Sequence, residues 1–194
     1  RRAPPPGPRP SPLPPPGGPR PLPTRRYEFN GSRRADRLWE LEGSIVDLKA
    51  YPFDNDDRGR VEPGTPVHEM FIRLTLDDGL TIQAIEAVTD HGPYHVCPAI
   101  TPNFQRMVGV RIGPGWRKAI RERLGGAEGC THLVELLIAM ATPAYQSILP
   151  VLSRERRAAK DPTETWPGLI NSCHAYKDDG ALAKKFWPER YKGS

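Results

Sequence analysis

GAEGCTHLVELLIAMATPAYQ, residues 126–146, is the segment around which the rest of this sequence is arranged. Its glycines predict a turn, and residues 131–140 after the turn predict a helix. This helix is apolar on nearly all sides, which is typical of a helix inside a protein rather than on its surface. We therefore predict that it is the central element of the hydrophobic core.

Three reactive side chains stand at the start of this helix: Cys130, His132 and, one turn on, Glu135. A helix N-terminus offers free N–H groups and the positive end of the helix dipole, which lowers the pKa of a thiol and attracts anions. Two interpretations stay open. The cluster is a functional site, or Thr131 is the N-cap and the other residues are structural.

Two alternating apolar runs on either side of Asp77-Asp78-Gly79 predict a β-hairpin over residues 67–90. An Asp-Gly pair between such runs is the strongest short-range signal of a hairpin. Because side chains alternate between the two faces of a strand, the first strand is predicted to point Val67, Phe71, Leu74 and Leu76 inward. The second strand is predicted to place Ile82, Ala84, Glu86 and Val88 on one face.

The remaining patterns give the fold class. Residues 25–29 and 38–48 alternate and predict two earlier strands, whereas residues 116–124 and 144–152 predict helices. We predict an α+β fold with a small antiparallel sheet of three to five strands and helices packed on one face. It would form a single catalytic or binding domain over residues 24–194.

The N-terminal arm, residues 1–23, contains 12 of the 24 prolines. Proline removes backbone donors and fixes φ, so this arm forms neither helix nor sheet and favours a polyproline conformation. Two interpretations stay open: a disordered tail, or an extended arm that wraps a neighbouring subunit and so makes a homo-oligomer. A separate interpretation is that the arm acts as an interaction segment and binds in a groove of a partner protein.

Charge and composition exclude several function classes. Residues 1–37 hold nine arginines against two carboxylates, a balance of +7, while the whole chain carries +5. The basic character therefore belongs to the N-terminal part, which argues against a nucleic-acid-binding domain. Three cysteines are too few for a disulfide framework, and the longest apolar run, residues 136–141, is too short for a membrane span. We expect a cytoplasmic protein without a membrane partner.

Two groups of residues carry chemistry away from the helix start. His68 and Cys97, together with Cys130 and His132, have the donor types of a tetrahedral zinc site, although they lack paired Cys-x-x-Cys spacing. Cys97 is equally explained as a small core residue. Asp47, Lys49 and Tyr51 alternate at a strand end, where they form either an acid–base group or a solvated face.

Four segments follow one another in a characteristic order: RRADRLWELEGSIVDLKAY (33–51), HEMFIRLTLDD (68–78), GCTHLVELL (129–137) and SCHAY (172–176). Together they resemble the bacterial family called domain of unknown function 2889, over about residues 24–191. The resemblance implies catabolism of lignin-derived aromatic dimers by a cofactor-free lyase that releases formaldehyde from a hydroxymethyl side chain. The partner would then be a small aromatic molecule.

Such a retro-aldol-like reaction needs an acid–base group and an apolar pocket, and no redox cofactor. We expect His132 or His68 to be the base. Anionic oxygen would be stabilised by Lys49, Arg73 and Tyr94. The substrate pocket would be formed by Trp39, Phe53, Trp116, Tyr145 and Cys130.

The order of elements is also similar to that of the iron–sulfur cluster scaffold proteins. Those proteins carry a cysteine before the hairpin, one after it and one at a later helix start. Here His68, Cys97 and Cys130 stand near these three places, but no cysteine occupies the first. The similarity implies a second function, a metal- or iron–sulfur-binding scaffold or carrier. Its zinc ion or cluster would be held by His68, Cys97, Cys130 and His132.

Overall fold

The computed structural model describes residues 12–13, 23–159 and 167–193. The predicted arm therefore lies almost wholly outside the described residues, and its role stays a prediction. The strands in the described part of the chain are β1 Thr24–Arg33, β2 Trp39–Leu48, β3 Phe53–Asn55, β4 Gly59–Val61, β5 Pro66–Leu76 and β6 Ile82–His91. Four of them form an antiparallel sheet in the order β1-β2-β5-β6, and β3 and β4 form a separate small hairpin.

Within the residues that the structure describes, four α-helices follow the sheet: α1 Trp116–Leu124, α2 Thr131–Ala139, α3 Ala141–Ala158 and α4 Ala181–Phe186. A 3-10 segment, Cys97–Met107, precedes them and packs along β6. The α+β class with an antiparallel sheet is confirmed. The helix predicted over residues 144–152 begins earlier, at Ala141, because the helix break falls at Met140 and Pro143 lies in the first turn of α3, where proline is tolerated.

The inner face of β5 differs from the predicted one. His68 and Met70, followed by Ile72, point toward the helices, whereas Phe71 is only partly buried on the opposite face. An irregularity between Thr75 and Leu76 shifts the register with β6. As a result Ile85 is buried, whereas Val88 is exposed. The predicted inward positions of Val67 and Phe71, and the shared face of Ala84 and Val88 with Ile82, are therefore wrong.

Helix α2 occupies the centre of the core, as its all-round apolar character predicts. It contacts β2, β5, α1 and α3. The combined stretch Thr131–Ala158 is long and apolar enough to cross a membrane by length and composition alone. In this fold its apolar side packs against the sheet, as in a core helix of a globular domain. The buried side chains of α2 and its C-cap are Leu133, Leu136, Leu137 and Met140, each 0% exposed.

Gly31 of β1 allows α3 to approach the sheet closely. A Cβ atom at Gly31 would lie 2.3 Å from Ser147 Oγ and 2.7 Å from Ser147 Cβ. We expect Gly31→Ala to lower the free energy of unfolding by about 1–3 kcal/mol, because α3 must shift away from β1. Urea denaturation measures the change. Ser147→Gly in the same chain should recover part of the loss, and two losses that simply add would contradict this contact.

Candidate active site

One cross-strand row of the inner sheet face carries three polar side chains. The register pairs Arg25 of β1 with Asp47 of β2 and Asp47 with His68 of β5. Side chains directly opposite each other in an antiparallel sheet are close neighbours, so this row brings the three together. It lies at the end of the sheet where β2 finishes, next to the apolar row that contains Ile45 and Met70.

Asp47 is held from both sides. Arg25 donates two hydrogen bonds to its carboxylate, from Nε to Oδ1 and from NH2 to Oδ2, each 2.7 Å long. His68 Nδ1 lies 2.9 Å from Asp47 Oδ2. Because an ionised carboxylate only accepts hydrogen bonds, Nδ1 of His68 carries the proton and Nε2 keeps a free lone pair. Asp47 thus fixes both the tautomer and the orientation of His68.

Helix α2 places its first turn over this row. The ring of His132 stacks on the ring of His68, with centroids 3.6 Å apart and planes at 27°, and its Nε2 lies 3.8 Å from Asp47 Oδ2. Glu135 accepts a hydrogen bond of 2.6 Å from Arg25 NH1. Cys130, the N-cap residue, lies with its Sγ 4.0 Å from His132 Nδ1. The helix start and the sheet row therefore form one polar cluster.

Burial and charge set the protonation of the cluster. Burial, followed by the nearby His132, lowers the pKa of His68 below its ordinary value of 6.5. Burial and then the Arg25 guanidinium lower the pKa of His132. Burial raises the pKa of Asp47, but the Arg25 guanidinium and His68 outweigh it and hold this pKa below 3.8. At neutral pH both imidazoles of the cluster are therefore neutral and the carboxylate of Asp47 is ionised.

These shifts predict an acid-sensitive fold. At pH values below 6.5 but above the lowered pKa values of His68 and His132, the unfolded chain binds more protons than the folded protein. The contribution of the two histidines to the free energy of unfolding is therefore fully present above pH 6.5 and is lost as the pH falls below that value. Asp47 adds a contribution present above pH 3.8 that is lost as the pH falls through its lowered pKa.

Urea midpoints of chelator-treated protein at about pH 7, 6 and 5 measure the histidine contribution. The His132→Asn variant should lose stability less steeply over this range, because one of the two titrating rings is gone. The exposed residue His174 provides the control, and His174→Asn should follow the wild-type slope. Equal slopes for the wild type and His132→Asn would contradict a lowered pKa of His132 in the folded protein.

Several predicted site residues lie outside this cluster. Cys97, the first residue of the 3-10 segment, packs beside Gly92 of the loop after β6. No group of mutually close metal donors in the described residues includes Cys97. The ligand set of His68, Cys97, Cys130 and His132 is therefore not assembled in the described residues. Arg73 lies on the outer face of the sheet, paired with Glu42 and Glu86, because its position on β5 has the opposite parity to His68.

Among the described contacts, neither Lys49 nor Tyr94, the predicted cation and phenol, makes a hydrogen bond, ion pair or ring contact with His68 or His132. Lys49 places its Nζ 3.6 Å from the ring centroid of Phe53 and 5.6 Å from that of Tyr51. Tyr94 is 53% exposed in the loop after β6. Lys49 and Phe53 thus interact with each other, in a cation–π contact rather than in a substrate pocket.

The other predicted pocket residues belong to the core. Trp39 stands at the opposite end of β2 from Asp47, where its Nε1 donates a 2.8 Å hydrogen bond to Asp78. Trp116 is 5% exposed in α1, and Tyr145 donates its hydroxyl to the backbone oxygen of Ile112. Their large apolar surfaces fill the interior between the sheet and the helices, which is the commonest use of such residues.

The cluster meets solvent on the side of α2 and β1. The side chains of Asp47 and His68 are each 13% exposed, whereas those of His132, Arg25 and Glu135 are 25%, 35% and 48% exposed. A groove lies elsewhere, between α3 and the C-terminal segment, with Arg154 and Trp187 in its lining. The solvent-facing side of the cluster is therefore the surface beside Arg25 and Glu135.

The sequence predicts neither Arg25 as a site residue nor the contact between Asp47 and His68. Its alternating pattern groups Asp47 only with Lys49 and Tyr51, its neighbours at alternate positions. The signal that joins Arg25, Asp47 and His68 is the register of three strands, which alternation within one strand does not give.

The fold is an antiparallel sheet with a histidine–carboxylate cluster under the first turn of a core helix, and the side chains of such a cluster can transfer protons or bind a metal ion. The chain belongs to the family described as Protein of unknown function (DUF2889), whose model matches residues 23–146. The match contains the whole sheet, α1, α2 and the start of α3, and ends before the SCHAY segment.

The predicted family is thus confirmed over a shorter range than residues 24–191. A search of curated proteins and a search of solved structures found no significant match. The bacterial origin and the similarity to iron–sulfur scaffold proteins remain predictions.

Proposed function

We propose that this protein is an acid–base catalyst in which His68, oriented by Asp47, removes a proton from a small substrate. The observation that carries the proposal is the 2.9 Å contact between His68 Nδ1 and Asp47 Oδ2, with Asp47 itself held by two hydrogen bonds from Arg25. A neutral imidazole whose second nitrogen is held by a carboxylate is the usual form of a histidine base. The low pKa of His68 keeps that base unprotonated at neutral pH.

The reaction we propose is the loss of formaldehyde from an aromatic substrate that carries a hydroxymethyl group. This choice rests on the resemblance of the sequence to a family with formaldehyde-releasing lyases, and the cluster provides the acid–base group that the reaction needs. The substrate class is a lignin-derived dimer in which the carbon next to the hydroxymethyl-bearing carbon carries an aryl ether oxygen.

The proposed step balances without an oxidant or reductant. Nε2 of His68 takes the hydroxyl proton, the carbonyl bond of formaldehyde forms, and the carbon–carbon bond to the hydroxymethyl group breaks. The electron pair of that bond becomes a new carbon–carbon double bond and expels the aryl oxygen as phenolate. The proton on His68 then passes to the phenolate. Asp47 stabilises the imidazolium that forms in between, as the carboxylate of a catalytic dyad does.

The test is formaldehyde release by the purified chain from phenylcoumaran dimers, which carry this aryl ether oxygen. His68→Gln should lower kcat/KM by about 10²–10⁴-fold, the usual contribution of a general base. His174→Gln, at an exposed histidine of the C-terminal segment, should leave kcat/KM within about twofold. Failure of well-folded wild-type protein to release formaldehyde from any of these dimers would refute the lyase proposal.

A further inference from the structure

We infer that Asp47, His68 and His132 form a binding site for one divalent transition-metal ion such as Zn²⁺. One donor atom from each of the three side chains lies within 4.8 Å of the other two. Asp47 Oδ2 is 2.9 Å from His68 Nδ1 and 3.8 Å from His132 Nε2. The donors of a tetrahedral zinc site lie roughly 3.3 Å apart. The observed spacings fall on either side of this value, so small side-chain rotations suffice.

The chemistry of the donors fits such an ion. Two imidazole nitrogens and one carboxylate oxygen are ligands that zinc and its neighbours in the first transition series prefer, whereas calcium and magnesium prefer oxygen alone. Asp47 and His68 are largely buried and His132 is three-quarters buried, so all three side chains are preorganised. Three protein ligands leave one position of a tetrahedral ion open to water or to another ligand.

The surrounding charges suit a cation although Arg25 is present. Arg25 neutralises one carboxylate, but Asp47 and Glu135 both contact it, so the cluster with its two neutral histidines carries one net negative charge. The two hydrogen bonds from Arg25 hold the Asp47 carboxylate in place, as outer partners of metal ligands commonly do. The guanidinium still repels a nearby cation, so its removal should strengthen metal binding.

Metal binding and base catalysis use different nitrogens of His68 and need opposite tautomers of its neutral ring. As a base, His68 carries its proton on Nδ1 and accepts a proton at Nε2. As a metal ligand through Nδ1, it carries the proton on Nε2 and has no lone pair for the substrate. This consequence rests on the proposed function: the metal ion would inhibit the lyase, whereas binding itself is independent of any activity.

Calorimetric titration of the chelator-treated full chain with Zn²⁺ alone tests the inference. We expect one ion per chain in the wild type and at least a tenfold weaker affinity in His132→Gln and in Asp47→Asn. Cys97→Ser and His174→Gln serve as matched controls outside the cluster and should bind as the wild type does. Circular dichroism shows whether each variant is folded, and His132→Gln, on the partly exposed first turn of α2, keeps the test open if Asp47→Asn unfolds.

Arg25→Gln separates the inference from the proposed function. We expect this variant to bind Zn²⁺ more tightly than the wild type, because the positive charge beside Asp47 is gone, and to have lower lyase activity, because Asp47 loses its two hydrogen bonds. The absence of 1:1 binding, or binding unaffected by His132→Gln, would overturn the metal site. A chain that binds Zn²⁺ but releases no formaldehyde would refute only the lyase.

Discussion

The Asp47→Asn variant is expected to lose about 10²–10⁴-fold in kcat/KM for formaldehyde release. Asp47 holds His68 in the tautomer with the proton on Nδ1. An asparagine amide can present its own N–H group to Nδ1, and His68 then carries its proton on Nε2 and no longer accepts one from a substrate. The variant should also lose about 1–3 kcal/mol of unfolding free energy, because the Arg25 guanidinium loses a charged acceptor.

Two measurements separate these effects. Kinetics at temperatures well below the unfolding transition report on the catalytic role, and urea denaturation reports on the structural one. Asp54→Asn, at a side chain that is 86% exposed on β3, is the control and should change both quantities little. An Asp47→Asn protein that is folded and retains wild-type kcat/KM would contradict the role of Asp47 in orienting the base.

The Leu136→Ala variant is expected to lower the free energy of unfolding by about 2–5 kcal/mol. Leu136 is 0% exposed in the central helix α2, so truncation removes buried apolar surface and leaves a cavity against the sheet. A loss of this size is a large part of the 5–15 kcal/mol by which domains are usually stable. The truncation should also loosen the contacts of the polar cluster, because α2 holds His132 against His68 and Glu135 against Arg25.

Urea denaturation followed by circular dichroism measures the loss. Lys118→Ala on α1, where the lysine side chain is 74% exposed, is the matched control and should stay within about 0.5 kcal/mol of the wild type. A Leu136→Ala protein as stable as Lys118→Ala would mean that α2 is not the core element of this fold.

The helix start and the hairpin were predictable because their signals are local. The glycine turn and the apolar run after it predict α2 within one residue, and the Asp-Gly pair predicts the β5–β6 hairpin. Both signals concern neighbours in the chain. The first turn of α2 also carries His132, Glu135 and Cys130, which the sequence grouped there, into the polar cluster.

The partners of His132 were harder to predict because they depend on strand parity and register. Phe71 looks like an inward residue, yet Met70 and His68 point to the helices, and a shift of one position moves every side chain to the other face. The same parity sends Arg73 to the outer face, away from any shared site with His68. Arg25 and Asp47 join the site through pairing between strands, for which the sequence has no local signal.

In the proposed function, His68 is a neutral base whose proton is held on Nδ1 by Asp47. The most direct measurement is the two-dimensional ¹H–¹⁵N spectrum of the histidine rings in chelator-treated protein at neutral pH, with His68 assigned through His68→Gln. We expect His68 in the neutral tautomer with Nδ1 protonated and Nε2 bare, and this signal pattern lost in Asp47→Asn. A doubly protonated His68, or a neutral ring with its proton on Nε2, would contradict this role of His68.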